Sequence, residues 1–70
     1  MNRIDKIRKR LKLARMEKGY SQDYVGEKLH MSQISYHKIE NGKTALKVRI
    51  LLELATILEV KESYLLACKD

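Results

Sequence analysis

Apolar residues fall into short groups along the chain, and the spacing inside each group is that of a helix. Ile4, Ile7, Leu11 and Ala14 recur at intervals of three and four, which predicts a helix from about Arg3 to Lys18 that Gly19 stops. Leu13 and Met16 lie off that stripe, so either its core face is broad or a minor apolar patch is exposed. Ser21 then precedes the polar pair Gln22-Asp23, and Val25 and Leu29 follow four residues apart. This order predicts a second, short helix with Ser21 as its N-cap and Asp23 at the positive end of its dipole. Tyr20 and Val25 are spaced as a hydrophobic staple across the cap. The same grammar repeats: Met31 precedes a second cap, Ser32, and Tyr36 takes the place of Val25. A third helix is expected from Gln33 to about Glu40, with Tyr36 and Ile39 inward and Asn41-Gly42 ending it through a left-handed glycine.

Only His30, Met31 and Ser32 separate the second helix from the third. So short a break between two capped helices forces a sharp corner, a helix-turn-helix and not an antiparallel hairpin. Leu46, Ile50, Leu51, Leu54, Ala55 and Leu58 form a broad stripe with Lys47, Arg49 and Glu53 outside it, the fourth and most apolar helix. Val60 leads through Lys61 into a last short helix, about Glu62 to Ala67, carrying Leu65 and Leu66. With no linker or repeat, residues 1–70 read as one all-α domain of five helices, with the helix-turn-helix at about 22–40. Hydrophobic residues make up 44% of the chain but aromatic ones only 6%, with no Trp, Phe or Pro, so the core must be aliphatic, which suits packed helices. At this length a single core is near the lower limit for a fold without metal or disulfide support.

The net charge of +6 is unevenly placed. Arg3, Lys6, Arg8, Lys9, Arg10, Lys12, Arg15 and Lys18 face only Asp5 and Glu17 in the first helical segment, whereas the remaining basic and acidic residues cancel. A polyanionic partner such as DNA, RNA or an anionic membrane fits this segment, and so does a solvated helix face. Cys68 is the sole cysteine, which excludes an internal disulfide or a thiolate metal cluster and fits a reducing compartment; it reads as a half-buried apolar residue at a helix end. No apolar run approaches the roughly 18 residues of a membrane span, and no apolar stretch follows the basic N-terminus as in a signal peptide. A cytoplasmic protein without membrane contact is expected. There is no Ser/His/Asp or Cys/His arrangement, no phosphate loop and no metal-spaced cluster, and no acidic residue lies between His30 and His37. Neither an enzyme nor a metal or other cofactor is expected.

Two stretches, GYSQDYVGEKLHMSQISYHKIENGKT from Gly19 to Thr44 and LLELATILEV from Leu51 to Val60, carry a more specific signal. With Ser21-Gln22, Glu40-Asn41-Gly42 and Leu54-Ala55 at their separations, the chain resembles the DNA-binding domain of the phage Cro and lambda-repressor type, the Xre family, over nearly its whole length. The resemblance implies a five-helix lambda-repressor-like fold whose third helix enters the major groove. It implies base contacts from Gln33, Ile34, His37 and Lys38. Of these, Gln33 is able to pair bidentately with adenine, Ile34 to meet a thymine methyl, and Lys38 to reach guanine or a phosphate. Phosphate contacts are implied for Gln22, Ser32, Ser35, Asn41, Lys43 and Thr44. Arg15 and Glu40 match the family's salt bridge, which would fix the reading helix on its scaffold.

The chain departs from the family pattern at Gly26, where Ala is usual, at His30, where Gly is usual, and at Tyr36, where Ile or Val is usual. Tyr36 is expected to need the space left by the methyl missing at Gly26, and His30 to adopt the left-handed conformation of the corner. No Pro stands near Leu46, so the fourth helix is expected to begin earlier or without a proline start. The reading that follows is sequence-specific binding of double-stranded DNA as a homodimer, most often to repress transcription. The alternatives are an antitoxin with a small protein partner, the toxin, and a restriction-modification controller protein. Leu58, Leu65 and Leu66, within a segment at about 58–68, are candidates for self-association, or else ordinary core. Residues 63–70 are too few for a separate ligand-binding domain, so an effector is expected to act through dimerisation or a partner protein.

Overall fold

The computed structural model describes residues 1–67; Cys68 and the end of the candidate dimerisation segment lie outside the described residues. Asn2 opens the first helix, α1 (Arg3–Glu17), by accepting a hydrogen bond from the Asp5 N–H at 2.9 Å. Ile7, Leu11 and Ala14 of its stripe are buried, but Ile4 is exposed. The apolar period therefore runs one turn past the core that it faces. Leu13 and Met16 are exposed, so the core face is narrow and the off-stripe residues form surface.

Gly19 ends α1 at φ +73°, and Ser21 and Ser32 cap α2 (Gln22–Lys28) and α3 (Gln33–Glu40). Their hydroxyls accept from the Tyr24 N–H at 3.0 Å and the Ser35 N–H at 3.1 Å, so each cap satisfies a first-turn donor that the helix itself cannot. In the corner between these helices His30 sits at φ +60°, in the left-handed region. The Met31 N–H closes back on the Gly26 carbonyl at 2.9 Å.

That closure explains Gly26. A Cβ built there would stand 3.1 Å from the Met31 carbonyl oxygen and 3.2 Å from that of Ser32, and only then 3.4 Å from the Cβ of Tyr36. A methyl there would press first on the backbone oxygens of the corner, which would have to give by a few tenths of an ångström. Tyr36 comes nearest with its Cβ, an atom that Ile or Val would also carry, so the tightest contacts at Gly26 are with backbone and not with the Tyr36 ring.

α4 (Val48–Ile57) begins after Leu46, behind an extended Lys47 that offers no side-chain cap; it starts without proline and not early. Leu58 and a left-handed Glu59, φ +56°, turn the chain into α5 (Glu62–Leu66). All five elements are α-helices, and no strand occurs among the described residues. α2 and α3 pack on each other, α1 packs on α3 and α5, and α4 packs on α5. Leu11, Val25, Tyr36, Leu54, Leu58 and Leu65 are fully enclosed at the centre.

Leu58 and Leu65 are thus corrected from candidate dimer residues to core: a side chain at 0% exposure cannot meet a second copy without opening the domain. Of the three candidates, only Leu66 is exposed. The basic residues of α1 also have internal partners. Arg3 donates to the Leu66 carbonyl at 2.6 Å, Arg10 donates to the Tyr64 carbonyl and lies over the Tyr64 ring, and Lys18 pairs with Glu59 at 2.6 Å. Much of the charge on this helix ties α1 to the C-terminal part of the domain.

Candidate nucleic-acid interface

α3 is held by one face and open on the other. Tyr36, Ile39 and Glu40 are buried, while Gln33, Ile34, Ser35, His37 and Lys38 are exposed, as the 3.6-residue period requires. Ile34 is the most exposed apolar residue of the helix, at 70%. At the entry to α3 the Ser32 and Ser35 hydroxyls lie 3.0 Å apart, a pair made by the cap itself.

Beneath this face runs a polar network. Arg15 grips Glu40 with two bonds, Nε to Oε2 at 2.9 Å and Nη2 to Oε1 at 3.0 Å, and sends Nη1 to the Tyr20 carbonyl at 2.8 Å. The Glu40 side chain is fully enclosed and that of Arg15 is 11% exposed. Gln22, from the first turn of α2, donates Nε2 to Glu40 Oε1 at 3.3 Å. Its Oε1 stands 3.1 Å from His37 Nδ1. Asn41 donates Nδ2 to the His37 carbonyl at 2.9 Å, and the same nitrogen lies 3.2 Å from Nδ1. Arg15, Gln22, His37, Glu40 and Asn41 are therefore one connected group, whereas Lys38, Gln33 and Ile34 stand outside it.

Burial alone would raise the Glu40 carboxyl, but the Arg15 bonds, the adjacent Tyr36 phenol, the Gln22 amide and the charge of Arg15 outweigh it and hold the group below its usual range. The Glu40 bond is the main cause that raises the Arg15 guanidinium further. Burial and the adjacent Glu40 carboxylate push the Tyr36 phenol upward, so it stays neutral. The depressed Glu40 contributes stability that is present above its ordinary value of 4.5 and is lost as pH falls through the lower folded-state value. Urea midpoints measured from neutral pH down into that acid range should fall steeply for the wild type. They should fall less for Glu40→Gln, which has no proton to gain; parallel curves would remove Glu40 as the source.

The loop after α3 is clamped from two sides. The Lys43 and Thr44 N–H groups donate to the Lys38 carbonyl at 2.8 and 3.3 Å, and Arg8 of α1 donates Nη2 to the Thr44 carbonyl at 3.0 Å. Gly42, at φ +81°, faces Arg8 Nη1 so closely that a Cβ would approach to 3.0 Å. The loop bearing Asn41, Lys43 and Thr44 thus rests on α1. Arg8 gave no sequence signal for this role, because its partner is a backbone carbonyl far along the chain.

Among the described residues no group of His, Cys, Asp and Glu could hold a metal ion, and no helix is long and apolar enough to cross a membrane. A family model described as helix-turn-helix matches residues 11–65. Comparison with the curated proteins finds no match.

Proposed function

Because this chain belongs to the helix-turn-helix family of Cro and C1 type, whose members are DNA-binding regulators, we propose that it binds a specific double-stranded sequence as a homodimer and represses transcription there. The observation that carries this reading is the division of α3 into a buried face and an open one. Gln33, Ile34, His37 and Lys38 lie together on the open face, where a helix in the major groove meets base edges. An apolar Ile34 among polar neighbours suits a thymine methyl, and Gln33 suits the N6 and N7 edge of adenine. Ser32, Ser35, Asn41, Lys43 and Thr44, at the entry and exit of α3, are the proposed phosphate contacts. Gln22 joins them through whatever bonding its amide retains beyond Glu40 and His37. The single domain over 1–70 carries the helix-turn-helix within 22–40, and exposed Leu66 remains as a contact for the second copy.

Selection of binding sites from random duplex DNA tests the reading. The expected product is a two-fold symmetric site whose halves lie roughly 34 Å apart, with two chains per site by sedentation of the complex in an ultracentrifuge. Affinity should fall linearly with salt on a logarithmic plot. Failure to enrich any sequence would sink specific binding, and one chain per site would sink the homodimer. Placing the selected site over a reporter promoter should lower its output; a rise would overturn repression.

A further inference from the structure

The network under α3 does more than hold the helix: it sets two polar groups of known sense against one nitrogen of His37. Gln22 and Asn41 each have one amide orientation set by a partner that can only accept. Gln22 Nε2 faces the Glu40 carboxylate at 3.3 Å, so its oxygen must face His37. Asn41 Nδ2 faces the His37 backbone carbonyl at 2.9 Å, so a donor is what lies 3.2 Å from Nδ1 on that side. Nδ1 therefore stands between an acceptor, Gln22 Oε1 at 3.1 Å, and a donor, and an imidazole nitrogen has only one in-plane direction for a proton or a lone pair.

The two tautomers are unequal. With the proton on Nδ1, Gln22 Oε1 is satisfied, and Asn41 keeps its bond to the backbone carbonyl. With the proton on Nε2, the Nδ1 lone pair accepts the second hydrogen of Asn41 Nδ2 at 3.2 Å, but the Gln22 oxygen, 3.1 Å away, lacks this donor; Asn41 Nδ2 has the His37 carbonyl in either case. The bond from Gln22 to ionised Glu40 polarises the amide and strengthens its oxygen as an acceptor, which favours the first arrangement further.

We propose that the chain Arg15–Glu40–Gln22 holds neutral His37 as the Nδ1–H tautomer, so that the exposed Nε2 is a hydrogen-bond acceptor and His37 selects a base with an amino group in the major groove. Cytosine N4 and adenine N6 are such groups, whereas guanine offers only acceptors there and thymine an acceptor and a methyl. Cytosine against guanine is the discriminating comparison, because adenine also carries an acceptor. Gln22 and Glu40 are positioning residues for this choice, and the sign of the base preference is set by a buried ion pair that never meets DNA. The inference rests on the reading of α3 as the helix that contacts bases.

Two measurements test it. Long-range 1H–15N correlation spectra of the free protein, read on neutral His37 at the alkaline end of a titration, should show the Nδ1–H pattern in the wild type. In Gln22→Met, which keeps length but removes the acceptor, they should show Nε2–H. Binding to variants of the selected site, changed one base pair at a time, should then reveal one position where the wild type prefers cytosine over guanine by about three- to tenfold, the worth of one net hydrogen bond. At that position Gln22→Met should lose or reverse the preference while keeping those at other positions, even if its overall affinity is lower. An Nε2–H pattern in the wild type overturns the proposal while leaving DNA binding intact. An unchanged set of preferences in Gln22→Met overturns it as well. Should no sequence be selected at all, the base preference falls together with the reading of function, and the spectra still report the tautomer on the protein alone.

Discussion

Replacing Glu40 with alanine is expected to cost the domain about 3–5 kcal/mol, the loss typical of stranding one partner of a buried ion pair. Domains of this size hold roughly 0.05–0.15 kcal/mol per residue, so such a loss removes much or all of the folded population. Arg15, 11% exposed in the intact domain, would lose both bonds to the carboxylate and keep the one to the Tyr20 carbonyl. Gln22 would lose the acceptor that orients it. Urea denaturation followed by circular dichroism measures the effect, and an unchanged melting temperature would show the pair to be incidental. The double variant Arg15→Met, Glu40→Leu separates charge from packing. Apolar replacements of similar volume remove the stranded charge and should recover much of the lost stability. If the double variant is as unstable as Glu40→Ala, the damage lies in the cavity and not in the charge.

That double variant should nevertheless bind DNA poorly. The pair is costly to desolvate, and its evident use is geometric: it joins α1 to the last turn of α3 and, through Gln22, to the first turn of α2. A refolded domain without it is expected to keep its helices but to lose what aligns the face proposed to read DNA. Stability and function are thus separable at this site, which Glu40→Ala alone cannot reveal.

The helices that matter most were legible because their ends are written in short-range chemistry. Ser21 and Ser32 each cap within three residues of themselves, and α3 begins at Gln33 and ends at Glu40 as the pattern predicts. α4 was harder to place, since Lys47 opens it without a side-chain bond. Periodicity identifies which way a helix faces but not how far its core extends: Ile4 shares the stripe of Ile7 and Leu11 and is nevertheless exposed. It also does not tell an apolar residue packed within the chain, as Leu58 and Leu65 are, from an exposed one such as Leu66. Glu59 adopts a left-handed conformation with nothing in its residue type to announce it. The bonds from Gln22 to His37 and from Arg8 to Thr44 connect residues far apart in sequence, and no local pattern encodes them.

The same bonds revise where affinity for DNA should come from. The basic surplus of α1 suits a polyanion, yet Arg3, Arg8, Arg10, Arg15 and Lys18 all bind the domain itself. A residue already bonded to a backbone carbonyl or a carboxylate is poorly placed to release counterions from a phosphate. The loop after α3 is a better source, because Lys43 is exposed there and its backbone is pinned to Lys38. Gln33, by contrast, is exposed in the first turn of α3, the part of a reading helix nearest the base edges.

Opposite signatures are therefore expected from Gln33→Ala and Lys43→Ala. The first should relax preference at one or two base pairs by about 1–3 kcal/mol, roughly five- to 150-fold, while leaving affinity for random DNA nearly unchanged. The second should weaken preferred and random sequences alike and lower the slope of log affinity against log salt by about 0.9, the share of one phosphate contact. Titrations of both variants against the selected site and a scrambled duplex, each at several salt concentrations, read the two effects independently. A uniform loss from Gln33→Ala would move the base-reading role elsewhere on α3. An unchanged salt slope in Lys43→Ala would return the electrostatic role to α1, where Lys9 and Lys12 are exposed beside the loop that Arg8 holds.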